Sequence, residues 1–201
     1  MIKFLFSLVV LLLLFTSFTL FVTKNKNINN TAVAGSSNKE KAFIGGEFYL
    51  INQDGNVVGD KDFRGQVMLV FFGFTHCPDI CPVTAATFAS VMESLGDKAD
   101  MVAPIFITVD PKRDTQEVLK EYLGNIDKRI IGLTGSDEQI SKVADVYKTY
   151  FAKVDSDKGD DYMVNHSGYV YLMDKNGEYV KHFPYNVKTE ELVNSIKILL
   201  N

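Results

Sequence analysis

Val67-Met68-Leu69-Val70-Phe71-Phe72-Gly73-Phe74-Thr75-His76-Cys77-Pro78-Asp79-Ile80-Cys81-Pro82 is an apolar run leading straight into the chain's only two cysteines. Val67 to Phe72 reads as a buried strand: short, apolar and rich in β-branched and aromatic residues. From Pro82 to about Leu95 the pattern turns helical, with Pro82 near the first turn, where its missing N–H costs little. Both thiols therefore fall where a strand becomes a helix N-terminus. Unpaired backbone N–H groups there favour negative charge. A thiolate at such a place ionises more readily than a free one, which suits it to metal binding or disulfide exchange.

Outward from this stretch, Phe43-Ile44-Gly45-Gly46 opens the folded part. Glu47 to Ile51 and Val57-Val58 flank Asp54-Gly55-Asn56 as a β-hairpin. Val102 to Val109 is a second apolar strand, with Pro104 expected at its beginning. Asp114-Thr115-Gln116-Glu117 offers a capping-box-like start to a helix through Leu123, and Ile130 to Leu133 is a short strand. Ser136-Asp137-Glu138-Gln139 is a second capping box, opening a helix to about Tyr150. Asp155 to Asp161 is a charged loop. Gly168 to Met173 and Tyr179 to Phe183 are strands joined by the turn Asp174-Lys175-Asn176-Gly177, and a helix covers about 188–200. This order predicts an α/β three-layer sandwich, a mixed sheet with helices on both faces. It resembles the element order of the thioredoxin fold, with an added N-terminal β-hairpin.

The front of the chain is different. Phe4 to Val22 carries no charge, and its 19 residues at about 1.5 Å each approach the roughly 30 Å thickness of a bilayer's hydrocarbon core. A cleaved signal has a shorter apolar region with its small-residue site just behind, whereas Ala32-Val33-Ala34 lies ten residues or more downstream. The expectation is a retained single transmembrane helix at about 4–22 within an anchor segment 1–22. A flexible linker (23–42) and one domain (43–201) follow. Lys3 precedes the span while Lys24 and Lys26 follow it, so charge does not orient it. Residues 1–42 hold five Lys and one Glu, leaving 16 basic and 24 acidic residues in 43–201. An acidic domain without a basic cluster argues against nucleic acid as a partner.

Gly45-Gly46-Glu47-Phe48, the run Phe72 to Pro82, Asp110-Pro111-Lys112-Arg113-Asp114-Thr115, and His166-Ser167 followed by Tyr171-Leu172-Met173-Asp174 closely resemble the Sco/SenC family. The resemblance implies a membrane-tethered, thioredoxin-like copper metallochaperone that assists assembly of the binuclear copper centre of cytochrome c oxidase. The expectation is a metal-delivery protein and not an enzyme in the turnover sense. The same resemblance implies Cys77, Cys81 and His166 as ligands to Cu(I) or Cu(II), and the oxidase's copper-accepting subunit as partner. It also supplies the orientation: a single pass through a bacterial inner membrane, with the domain facing the periplasm. The N-terminus lacks the Arg-rich character of a mitochondrial transit segment. One position departs from the family: Asn165 stands where many relatives have Asp before the histidine, so it brings no charge to the histidine's surroundings.

The chemistry of the residues is compatible with more than one outcome. Soft thiolates favour Cu(I) and imidazole suits both copper states, but zinc also accepts two Cys and one His with a fourth ligand. Two cysteines in an exported domain commonly form a structural disulfide. The rival functional reading is a thiol–disulfide oxidoreductase that reduces a client's cysteines, although such enzymes usually carry CxxC and need no distant histidine. A peroxiredoxin is a weaker rival, its peroxidatic motif being absent. His76 adjoins Cys77, but neighbours in extended backbone point to opposite faces, so it is expected to look away. Met163 and Asp79 are weaker candidates for a thioether and a carboxylate ligand, their commoner roles being gap filling and loop solvation. His182 is expected to face solvent.

Overall fold

In the computed structural model, which describes residues 43–154 and 162–201, the two long apolar runs lie side by side in the middle of a sheet. The strands are β1 (Tyr49–Asn52), β2 (Val57–Gly59), β3 (Val67–Gly73), β4 (Val102–Thr108), β5 (Ile131–Thr134), β6 (Phe151–Val154), β7 (Met163–His166), β8 (Tyr169–Met173) and β9 (Tyr179–Pro184). The helices are α1 (Ile80–Leu95), α2 (Gln116–Gly124), α3 (Asp137–Tyr147) and α4 (Thr189–Leu200). The main sheet has seven strands in the order β2-β1-β5-β4-β3-β8-β9, and β6 and β7 form a separate two-stranded ribbon. β3, β4 and β5 are parallel, and the other pairings are antiparallel. All seven positions of both β3 and β4 are buried, which is why neither strand alternates apolar with polar.

The register assigns the layers. Phe71 pairs with Phe106, and Phe106 with Gly132, so these residues share one face. Leu119 and Leu123 of α2 pack on Gly132, and Cys81 of α1 packs on Gly73, two residues along from Phe71. Both crossover helices therefore lie on that face, as right-handed β-α-β connections running in one direction require. Phe72 points the other way and meets Tyr147 of α3 at 5.4 Å between ring centroids. The result is the expected sandwich, helices on both faces and a hairpin added at the N-terminal side.

Three details differ from expectation. Pro104 sits within β4 opposite Leu69, not at its beginning. Val109 donates to Gly73 on β3, so by alternation the nitrogen of Pro104 faces β5, whose pairing starts only at Ile105. No ladder bond is lost there. Helix α1 begins at Ile80, two residues early, with Asp79 at its N-cap, so Cys81 lies in its first turn. Helix α3 stops at Tyr147 because Lys148 turns left-handed (φ 56°).

The β6–β7 ribbon was not expected, and its strands pair Phe151 with His166 and Val154 with Met163. Among the described residues no helix is long and apolar enough to cross a membrane. The expected membrane helix 4–22, the linker 23–42 and the loop 155–161 lie outside the described residues.

Candidate metal centre

The turn after β3 is built by local hydrogen bonds. Cys77 donates its N–H to the carbonyl of Phe74 at 3.2 Å, and the N–H of Phe74 donates to Cys81 Sγ at 3.5 Å. Cys81 is fully buried and Cys77 half-buried. A carboxylate supports the loop from below. Asp114, itself fully buried, accepts from the Thr75 N–H (3.0 Å), the Thr75 hydroxyl (2.6 Å) and the Thr108 hydroxyl (2.6 Å). Burial raises its pKa and these three donors oppose the rise. The expected cap of α2 is supplied by its neighbour Thr115, whose hydroxyl accepts from Val118. Asp114 serves the cysteine loop instead.

His166 arrives from the ribbon. Its ring is wedged edge-on between Phe71 (5.9 Å) and Phe74 (5.8 Å). Nδ1 lies 3.3 Å from the carbonyl of Ser167, so that nitrogen carries the hydrogen and donates. The other ring nitrogen, Nε2, faces Cys81 Sγ at 3.5 Å. The ligand atoms of Cys77, Cys81 and His166 all lie within 4.8 Å of one another. Donors about 2.0–2.3 Å from one ion stand roughly 3.3–4 Å apart, so small side-chain rotations close this set around a metal. Of the predicted site residues, the structure brings these three together, across 85 positions of sequence between Cys81 and His166.

The SCO1/SenC family model matches residues 36–201. The chain belongs to the SCO1/SenC family. It is 42% identical over 181 residues to an SCO2-like protein of Rickettsia prowazekii, covering 89% of this chain and 88% of the relative. The copper-bound ScoI of Bradyrhizobium japonicum superposes with a TM-score of 0.73 at 41% identity, covering 78% of this chain and 99% of that one. BsSco, in which a disulfide switch has been identified and which belongs to the Sco family of cytochrome c oxidase assembly proteins, superposes at 0.62 with 27% identity over 78% and 93%. The fold is thus the thioredoxin-like α/β fold of Sco proteins.

In this SCO1/SenC chain the two thiols are not equivalent. The hydrogen bond from Cys81, with further donors in His166 and the backbone N–H groups of Asp79 and Cys81, lowers the Cys77 pKa to about 3 against the effect of burial. Cys81 is pushed up by that same bond to Cys77 and by its burial. Both shifts favour the thiolate at the outer sulfur and the protonated thiol at the inner one. The sign of this shift sets a test. With Cys77 favoured as the thiolate, alkylation of the reduced, metal-free protein by iodoacetamide should stay level from pH 5 to 8. An ordinary thiol of pKa about 8.5 gains roughly tenfold per pH unit over that range. A tenfold-per-unit slope would place the proton on Cys77 instead.

The remaining candidates fall outside the cluster. His76 is exposed, with Nδ1 3.1 Å from the Thr75 hydroxyl and 4.0 Å from Asp114 Oδ1, and it looks away from the sulfurs as expected. Met163 is 44% exposed and two residues from Asn165, so both lie on the face of β7 opposite His166 and the buried Val164. The Asn165 departure is therefore directed away from the imidazole, whose Nδ1 partner is a backbone carbonyl. Asp79 is exposed at the N-cap. His182 is exposed as expected, but Nδ1 is 2.6 Å from the Tyr179 hydroxyl and its ring packs on Tyr169. Asp114 belongs to the segment 110–115, which the sequence suggests as a helix cap that also shapes the loop beside the site; its partner Thr75 is the neighbour that sequence reasoning missed. No local signal marks Thr75, whose contact with Asp114 spans 39 positions of sequence.

Proposed function

We propose that this chain is a copper metallochaperone. Cys77, Cys81 and His166 hold one copper ion and present it to the copper-accepting subunit of cytochrome c oxidase, for the binuclear centre. The observation that carries this reading is the convergence of two sulfurs and an imidazole nitrogen within 4.8 Å, on a fold shared with copper-bound ScoI. Soft thiolates suit Cu(I), and imidazole suits either copper state. A three-donor site leaves one side of the ion open, and the half-buried Cys77 is the sulfur on that side. A recipient's ligand can attack there before the donor's bonds have all broken. We also propose that residues 4–22 anchor the chain in a bacterial inner membrane, with 23–42 tethering domain 43–201 on the periplasmic side.

A second reading is favoured by the thiolate–thiol pair. Cys77 as thiolate attacks a client disulfide and releases one client thiolate. Cys81, after losing its proton to that leaving group, attacks the mixed disulfide, freeing the second client sulfur and closing a Cys77–Cys81 bond. Metal and disulfide exclude each other, so BsSco's disulfide switch is compatible with both uses of one site. The experiment is metal analysis of the full chain in detergent, with a client-reduction assay on His166→Ala. Near-stoichiometric copper, lost in that variant while client reduction continues, supports the chaperone. Unbound copper with rapid client reduction by both proteins supports the oxidoreductase.

A further inference from the structure

The cysteine loop and the histidine ribbon come from distant parts of the chain, yet both are tied to one short loop. Residues 110–115 connect β4 to α2 and fold back tightly, the N–H groups of Arg113 and Asp114 donating to the Asp110 carbonyl at 3.1 and 2.9 Å. Asp114 holds the cysteine loop through Thr75, as described. Asp110, also fully buried, holds the ribbon: it accepts the hydroxyl of Tyr162 at 2.6 Å. Tyr162 stands just before β7, at the end of the ribbon opposite the Phe151–His166 pair. Its ring lies under the Arg113 guanidinium at 3.8 Å, and Arg113 in turn forms an ion pair with Asp110. Arg113 also lies 5.8 Å from the Phe74 ring, the same ring that flanks His166.

Among the described residues the ribbon has no ladder to the main sheet. Strand pairing therefore fixes β7 against β6 but leaves the ribbon's angle to the cysteines undetermined, and a two-stranded ribbon is marginal by itself. We infer that Tyr162 is a positioning residue for His166. Its hydroxyl on Asp110 latches the far end of the ribbon to the loop that also braces the cysteines, and so sets the distance between imidazole and sulfurs. This rests on the copper reading for its consequence, though not for the latch itself.

Tyr162→Phe deletes the hydroxyl and keeps the ring under Arg113. In the metal-free full chain, amide hydrogen exchange of residues 151–154 and 163–166 should rise about tenfold, the scale of one charge-assisted hydrogen bond, while the amides of β3 and β4 stay unchanged. Unchanged exchange in the ribbon overturns the latch. Copper(I) affinity should also fall about tenfold, but only where His166 is present: in a His166→Ala background the second substitution should change nothing. An equal loss in both backgrounds would mean a merely structural role and overturns the positioning claim. If His166→Ala by itself leaves affinity unchanged, the copper reading has failed and the positioning claim falls with it, while the exchange measurement still decides the latch.

Discussion

Replacing His166 with alanine is expected to weaken Cu(I) binding by more than about a hundredfold, since losing partners that merely orient a ligand already costs 10–100-fold. Competition against a chromogenic cuprous chelator measures it, and an affinity within threefold of the parent would remove the imidazole from the site. The variant should stay folded, because the ring is only half-buried and its apolar neighbours Phe71 and Phe74 remain packed in the core. It should also stay reactive. Cys77 loses one of its donors but keeps the larger hydrogen bond from Cys81 and the backbone N–H groups at the helix start. Its pKa should rise from about 3 yet remain below neutrality. Alanine at Cys77 or Cys81 should cost at least as much affinity and abolish client reduction too, which separates the sulfurs' two uses from the nitrogen's one.

The second large effect is expected from a residue with no chemistry of its own. A Cβ at Gly73 would stand 2.7 Å from Phe71 Cε1, 2.8 Å from Phe106 Cζ and 2.9 Å from Cys81 Sγ. None of these is the free end of an exposed chain: both rings and the thiol are fully buried. Gly73→Ala must therefore push apart β3, β4 and the first turn of α1. Overpacking of this kind costs about 1–3 kcal/mol or more, a large part of a stability of about 5–15 kcal/mol. Thermal unfolding should show the loss, and copper affinity should fall with it because the displaced atom is Sγ of a proposed ligand. Gly124 at the end of α2 has nothing within 4 Å of its Cβ position. Gly124→Ala should leave the site intact and raise stability by up to about 1 kcal/mol through the unfolded chain. If both variants melt alike, contact at Gly73 is not what limits the site.

Much of the fold was legible because its signals are local. The continuous apolar runs ending at Phe72 and Val109, the Ser136–Gln139 capping box and the Asp174–Gly177 turn each name one conformation by their own sterics and hydrogen bonds. The structure places β3, β4, α3 and the β8–β9 hairpin accordingly. The ribbon was not legible. Phe151-Ala152-Lys153-Val154 and Met163-Val164-Asn165-His166 are short and separated by a charged stretch, and their pairing is a contact distant in sequence that no local pattern announces. The partner of Asp114 was not legible for a related reason. A carboxylate before a helix reads as a cap, and only the approach of the cysteine loop makes it a buried acceptor for Thr75.

By itself the amino-acid sequence determined where the two thiols fall, at a strand-to-helix turn where exposed N–H groups stabilise a thiolate. It determined the sandwich as well, since the strands and helices of that sandwich, unlike the ribbon, are specified within their own residues. What only the tertiary structure decided is where the imidazole stands, which of its nitrogens faces the sulfurs, and how differently the two sulfurs are buried. Those depend on distances between segments that meet only after folding, and hydrogen bonding and burial act over ångströms in space, whatever the separation along the chain.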